Sequence, residues 1–187
     1  QENELEWHTD VTKAINISER LVRQITLSSI APLSYFSVSV DAGNNETYNK
    51  VHGVPQSQAK LYDKVVANIK RLVEARCEMK APLDISATYL LNPLNSSTEE
   101  VLKSIHDLRA TGVDLIRFTF PQVPRGYSVG NNDSNIPSHE QITEYMKRLR
   151  PLVEKETDNQ CQVLILDLDS MHDVYQVPRS LPCFARY

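Results

Sequence analysis

The sequence is poor in the features that mark most specialised classes of protein. Its 187 residues hold three cysteines, Cys77, Cys161 and Cys183, spread far apart. An odd, sparse set argues against a disulfide framework and for a reducing, cytoplasmic setting. No apolar run approaches the roughly 20 residues of a membrane span; the longest, such as Val163 to Leu166, are strand-sized. The first residues, Gln1 to Trp7, are acidic and polar, unlike a signal peptide, and no Met opens the chain, so it is expected to lie within a longer protein. A net charge of -4 with mixed signs leaves no polybasic run and no nucleic-acid footprint. Gly-X-Ser-X-Gly, P-loop and dinucleotide fingerprints are absent. His8, His106, His139 and His172 have no metal-ligand spacing. Four Asn-X-Ser/Thr sequons, at Asn16, Asn45, Asn95 and Asn132, are read as chance.

What remains is ordinary globular material, 41% hydrophobic and 24% charged, enough for one domain with a real core. Short β-rich runs alternate with amphipathic ones. Val11 to Ile30 has helical spacing at Ile15, Leu21, Val22 and Ile25, until Pro32 breaks it. Ser34 to Asp41 alternates Phe36, Val38 and Val40 with Ser37, Ser39 and Asp41, the pattern of a strand. A Gly-Asn-Asn turn and a polar segment follow. Ser57 to Cys77 carries one apolar stripe, Leu61, Val65, Val66, Ile69, Leu72 and Val73, and is predicted helical. Asp84 to Leu91 is the second strand. A helix capped by Ser97 or Thr98, with Glu99 and Glu100 in its first turn, runs to about Thr111 and stops at Gly112. Val113 to Phe120 is a third strand, 121–138 a loop, Pro137-Ser138 the start of a helix reaching Thr157, and Gln162 to Asp169 a fourth strand.

The order α-β-α-β-α-β-α-β predicts an α/β fold of about four parallel strands joined by right-handed crossovers. The strands of a doubly wound sheet are covered on both faces and almost wholly apolar. These are not. Ser37, Ser39 and Asp41 share one face, as do Ser86, Thr88 and Asn92, then Arg117 and Thr119, while the fourth strand ends in Asp167 and Asp169. Such strands fit a barrel segment whose outer face meets helices and whose inner face lines a wet cavity, with polar groups toward the C-terminal strand ends. The alternative is hydrogen-bond satisfaction at an exposed sheet edge.

Ser39-Val40-Asp41-Ala42-Gly43, followed by Glu46-Thr47-Tyr48 and Val51-His52-Gly53, resembles the radical S-adenosylmethionine superfamily. So do Tyr62-Asp63-Lys64-Val65, Asn68-Ile69-Lys70-Arg71-Leu72, Thr88-Tyr89-Leu90-Leu91-Asn92 and Gly112-Val113-Asp114-Leu115-Ile116-Arg117-Phe118. Their order and spacing carry the resemblance over roughly Ser34 to Asp169. It implies the C-terminal half of a partial (β/α)6 TIM-like barrel over 34–169, an N-terminal helical segment over 1–33, and the start of a truncated C-terminal extension over 170–187. It also implies a parent enzyme that cleaves S-adenosylmethionine with a [4Fe-4S] cluster, giving a 5′-deoxyadenosyl radical that abstracts hydrogen from a substrate the sequence does not name. The family's Cys-X3-Cys-X2-Cys motif and its glycine-rich cofactor segment have no counterpart here. The N-terminal half of the barrel is therefore expected to be absent, and this chain alone to be inactive and to hold neither group.

The resemblance makes Ser39 and Asp41 contacts of the cofactor's methionyl part, Asn92 a contact of its ribose and Arg117 a partner of a cofactor or substrate carboxylate. Each has another reading: Asp41 as a turn former, Asn92 as an Asx turn before Pro93, and Arg117 as a buried ion pair with Asp41, Asp167 or Asp169. Asn95 is expected to cap a helix. Lys50 and His52 are placed in a loop, with a solvated surface role favoured. Cys183 is either an auxiliary-cluster ligand or an ordinary thiol, since one cysteine cannot hold a cluster; Cys77 and Cys161 are expected to be structural. Two other functions stay open, a metal-dependent aldolase or isomerase using Asp41, Asp167 and Asp169, and a non-catalytic α/β interaction domain. No membrane or nucleic-acid partner is expected, and an open sheet edge would favour oligomers.

Overall fold

The computed structural model describes residues 9–28, 34–55, 60–121 and 136–166. Ten elements follow one another: β1 (Thr9–Thr12), α1 (Glu19–Ser28), β2 (Ser34–Ser39), α2 (Asn45–Val51), α3 (Leu61–Met79), β3 (Leu83–Leu90), α4 (Thr98–Arg109), β4 (Leu115–Thr119), α5 (His139–Lys155) and β5 (Gln162–Ile165).

The helix ends follow from single side chains. Ser97 Oγ accepts from Glu100 N at the start of α4, and Gly112, at φ +84°, takes the left-handed turn that ends the segment. Ser138 opens α5 with a capping box: its hydroxyl accepts from Gln141 N, and the Gln141 side chain accepts from Ser138 N. In α3, Tyr62, Val65, Ile69, Leu72 and Val73 bury one stripe, and Lys80 closes the helix in a left-handed conformation.

Two segments depart from the expected elements. The helix expected over Val11 to Ile30 is a strand followed by a shorter helix. Thr9–Thr12, three of its four residues β-branched, pairs with β2, Ala14 turns at φ +53°, and α1 starts only at Glu19, where Ser18 Oγ accepts from Leu21 N. Pairing with a neighbouring strand overrides a weak local helical pattern. The polar segment after Gly43 contains α2, started by Asn44, whose Oδ1 accepts from Thr47 N at 2.9 Å, and braced by the Glu46–Lys50 pair. The expected fourth-strand residues Asp167 and Asp169, the loop 122–135 and the tail from 170 lie outside the described residues.

The described strands form one all-parallel sheet in the order β1-β2-β3-β4-β5. That is one strand more than expected. Doubly wound sheets reverse direction at a switch point. Here every step goes the same way, so right-handed crossovers put every connecting helix on one side. This is the winding of a barrel segment, as the polar strand faces predicted. Phe36 and Val38, Ile85, Ala87 and Tyr89, Ile116 and Phe118, and Val163 and Ile165 form the buried, helix-facing layer. They pack with Val65, Ile69 and Leu72 of α3, Val101, Ile105 and Leu108 of α4, and Leu149 and Val153 of α5. Each such side chain contributes on the order of 1.5–3 kcal/mol. Among the described residues no helix is long and apolar enough to cross a membrane.

Candidate functional site

Side chains alternate along a strand, and register partners in adjacent strands share a face. Ser37 aligns with Ser86, Ser39 with Thr88, Thr88 with Arg117, and Leu90 with Thr119. The hydroxyls and the guanidinium that sequence alternation put on one face of each strand therefore fall on one face of the sheet, opposite the helices. Ser37 Oγ and Thr88 Oγ1 are 2.9 Å apart, and Arg117 Nη2 donates to Thr88 Oγ1 at 3.3 Å. Arg117 Nε is buried and has no hydrogen-bond partner among the described residues. Among the described residues Arg117 makes no ion pair with Asp41; its other two expected carboxylate partners, Asp167 and Asp169, lie outside those residues.

Asp41 stands just past the C-terminal end of β2 with φ +53°. Its Oδ1 accepts from Leu90 N and its Oδ2 from the Ser39 hydroxyl, both at 2.7 Å. One buried carboxylate thus ties the end of β2 to β3 and fixes the Ser39 rotamer. With its proton committed to Asp41, Ser39 turns only lone pairs toward a ligand.

Asn92 and Asn95 build the loop after β3. Asn92 Oδ1 accepts from Leu94 N at 2.9 Å, the Asx turn, while its Nδ2 reaches Leu90 O at 3.4 Å. Asn95 is fully buried: it donates to Asp41 O and Leu90 O and accepts from Asn92 N, and Tyr89 Oη donates to its carbonyl. Asn95 therefore locks two strand ends together rather than capping the helix, which Ser97 does. A second lock is Glu100 of α4, which accepts from Gly43 N at 2.6 Å and from Asn44 Nδ2 at 2.5 Å.

Lys50 lies on the exposed face of α2, paired with Glu46 at 2.7 Å. His52 is different: its side chain is 10% exposed, with Nε2 3.9 Å from Asp41 Oδ2 and Nδ1 3.4 Å from Lys13 Nζ. The Tyr48 ring packs on it at 4.3 Å between centroids. Burial, then Lys13, lowers the His52 pKa, with Asp41 pulling the other way, so the ring is neutral at neutral pH. Burial, with Asp41 nearby, raises Tyr48 to about 12 and keeps its proton on. The sequence pattern places His52 in a loop with a solvated role favoured and gives Tyr48 a place in the resemblance but no role in a site. The signal that could have found both is the Asn44-X-X-Thr47 cap, which makes the segment helical and sets Tyr48 and His52 four residues apart on one face.

Of the cysteines, Cys77 is exposed on α3 and Cys161 is buried before β5, its thiol pushed up to about 11 chiefly by burial. Cys183 lies outside the described residues. Among the described residues no cluster of three or more His, Cys, Asp or Glu could hold a metal ion. A cavity of about 480 Å³ lies between α1 and α3, lined by Glu19, Arg23, Arg71 and Glu78 among others, on the helix side of the sheet and remote from the polar strand face.

No protein-family model matches this chain, and no curated protein matches it. Among solved structures, the chain is similar to the crystal structure of Streptococcus suis SuiB, with a TM-score of 0.55 at 12% sequence identity. The match covers 85% of this chain and 32% of that one, so the chain spans about a third of SuiB's length. At that identity the likeness is one of fold alone, and the fold it shares is the parallel α/β sheet described above.

Proposed function

We propose that this chain supplies part of the barrel of a radical S-adenosylmethionine enzyme, and that its polar strand face holds the cofactor's zwitterionic methionyl end. The observation that carries this reading is the alignment of Ser39, Thr88 and Arg117 across three adjacent parallel strands on the face away from the helices. The residue chemistry fits such a ligand. Ser39 offers lone pairs beside the Asp41 carboxylate, as an ammonium requires, and Arg117 has a buried donor without a partner among the described residues, as a carboxylate requires. The chain's own three cysteines lack the Cys-X3-Cys-X2-Cys spacing that the family's [4Fe-4S] cluster calls for: Cys77 lies near the C-terminal end of α3 and Cys161 just before β5. The reading therefore assigns the cluster's ligands to a Cys-X3-Cys-X2-Cys segment outside this sequence, and the hydrogen-abstracting chemistry to the cofactor and cluster together. This chain's part is to bind and orient. Asn92, its side chain engaged with Leu94 N and Leu90 O, would reach a ribose only by leaving that turn. A reducing, cytoplasmic compartment goes with this reading.

Calorimetric titration of S-adenosylmethionine into the reconstituted longer protein, which carries the Cys-X3-Cys-X2-Cys segment, tests it. Arg117→Gln is expected to weaken binding by at least about tenfold, since a hydrogen bond to a charged group contributes about 1.5–3 kcal/mol. No binding, or binding indifferent to Arg117→Gln and Ser39→Ala, would oppose the reading. So would a colourless, metal-free longer protein after anaerobic iron–sulfur reconstitution.

A further inference from the structure

Helix α2 and its C-cap residue bury three polar atoms that no hydrogen bond satisfies among the described residues: Tyr48 Oη, Asn49 Oδ1 and His52 Nε2. Buried polar groups are nearly always paired, so two on a seven-residue helix and a third on its C-cap residue leave room for a second state. Around His52 that second state can be identified. Lys13 Nζ, a donor only, faces Nδ1 at 3.4 Å, so in the neutral ring Nδ1 is the acceptor and Nε2 carries the proton. That N–H stands 3.9 Å from Asp41 Oδ2, beyond hydrogen-bond length, while the Ser39 hydroxyl occupies the same oxygen at 2.7 Å. One carboxylate oxygen has two donors, one bonded and one adjacent.

We propose that His52 is a positioning residue that acts through Asp41: when a solvent proton charges its ring, Nε2 closes on Asp41 Oδ2 and displaces the Ser39 hydroxyl, so His52 sets which polarity Ser39 turns toward a ligand. For the ligand this rests on the reading of the strand face given above; the competition for Asp41 exists without one. The groups that act on the ring are Lys13, following β1, Asp41, at the end of β2, and Tyr48, on α2 itself. From α3, which packs on α2, Asp63 is engaged by Asn45, and Lys50 on α2 is paired with Glu46. Desolvation and Lys13 hold the ring neutral at neutral pH, so the change comes as pH falls below the ordinary histidine value of 6.5. A charged His52 then neutralises the carboxylate that an ammonium would use, and affinity for a zwitterion falls.

The test is an NMR titration of the His52 ring in the full chain, with no ligand. Asp41→Asn is expected to lower its pKa further, and Ser39→Ala and Lys13→Gln to raise it; a merely structural serine would leave it unmoved. A His52 pKa indifferent to Ser39→Ala overturns the proposal, and this variant, with Lys13→Gln, decides the matter even should Asp41→Asn fail to fold. A second arm measures S-adenosylmethionine affinity against pH in the reconstituted longer protein. Linkage is reciprocal, so a ligand that depresses the His52 pKa by about one unit loses about tenfold in affinity across that titration, and the loss vanishes in His52→Gln. Binding with pH-independent affinity overturns the positioning role. The NMR pattern without binding at any pH leaves the Asp41 competition standing and overturns the assigned ligand.

Discussion

At the scale of single residues, the β2–α2 corner is held by contacts that tolerate little change. A Cβ on Gly43 would run into the Glu100 carbonyl and approach Ser104 N at 3.3 Å, both backbone of α4. Neither can swing aside as a flexible side chain would. Gly43→Ala is expected to lower stability by about 1–3 kcal/mol through overpacking, read as a drop in Tm. Because Gly43 N also donates to Glu100, the same variant loosens the corner that carries Asp41. The sequence made Ser39, Asp41 and Arg117 legible as polar residues on strand faces. It could not show that Asp41 already serves two donors within the protein, because Leu90 lies 49 residues away along the chain.

At the scale of elements, the helices start where short polar side chains meet free backbone N–H groups. Ser97 and Ser138 are the caps of α4 and α5. Ser97→Ala and Ser138→Ala are each expected to cost about 1 kcal/mol, measured by denaturant midpoint. The two sites lie in separate helices with no shared hydrogen bond, so the double variant should show the sum to within about 0.5 kcal/mol. These ends could be read from the sequence because capping is local. β1 could not: Thr9–Thr12 is only four residues long, and its strand identity comes from pairing with β2.

At the scale of the whole molecule, the proposed function gives the two ends of the sheet different work. At the N-terminal ends of β3 and β4, Asp114 accepts from Ile85 N at 2.7 Å and pairs with Arg76, while its backbone bonds Ile85 O and Gln162 N. Toward the C-terminal ends stand Ser39 and Asp41 at the end of β2 and Thr88 in β3, with Arg117 beside Thr88 at the middle of β4. Barrel folds place stability at the first end and ligands at the second. Asp114→Ala is thus expected to lower stability by about 1–3 kcal/mol in chemical denaturation while leaving ligand affinity unchanged. Arg117→Gln is expected to do the reverse, and equal effects of both on both measurements would contradict this division.

The sequence by itself determined the alternation of strands and helices, the apolar stripe of α3, the caps of α4 and α5, and the polar residues at every second position of the strands. All of these are encoded within a few residues of one another, in periodicity and in the reach of a hydroxyl to a nearby N–H. Tertiary structure alone decided that the sheet runs in sequential order, that Ser39, Thr88 and Arg117 align, and that His52 is buried beside Asp41 and Lys13. Those facts depend on which strand pairs with which and on how a seven-residue helix seats against its neighbours. Both are set by the burial of surfaces distant in the chain, which no local pattern records.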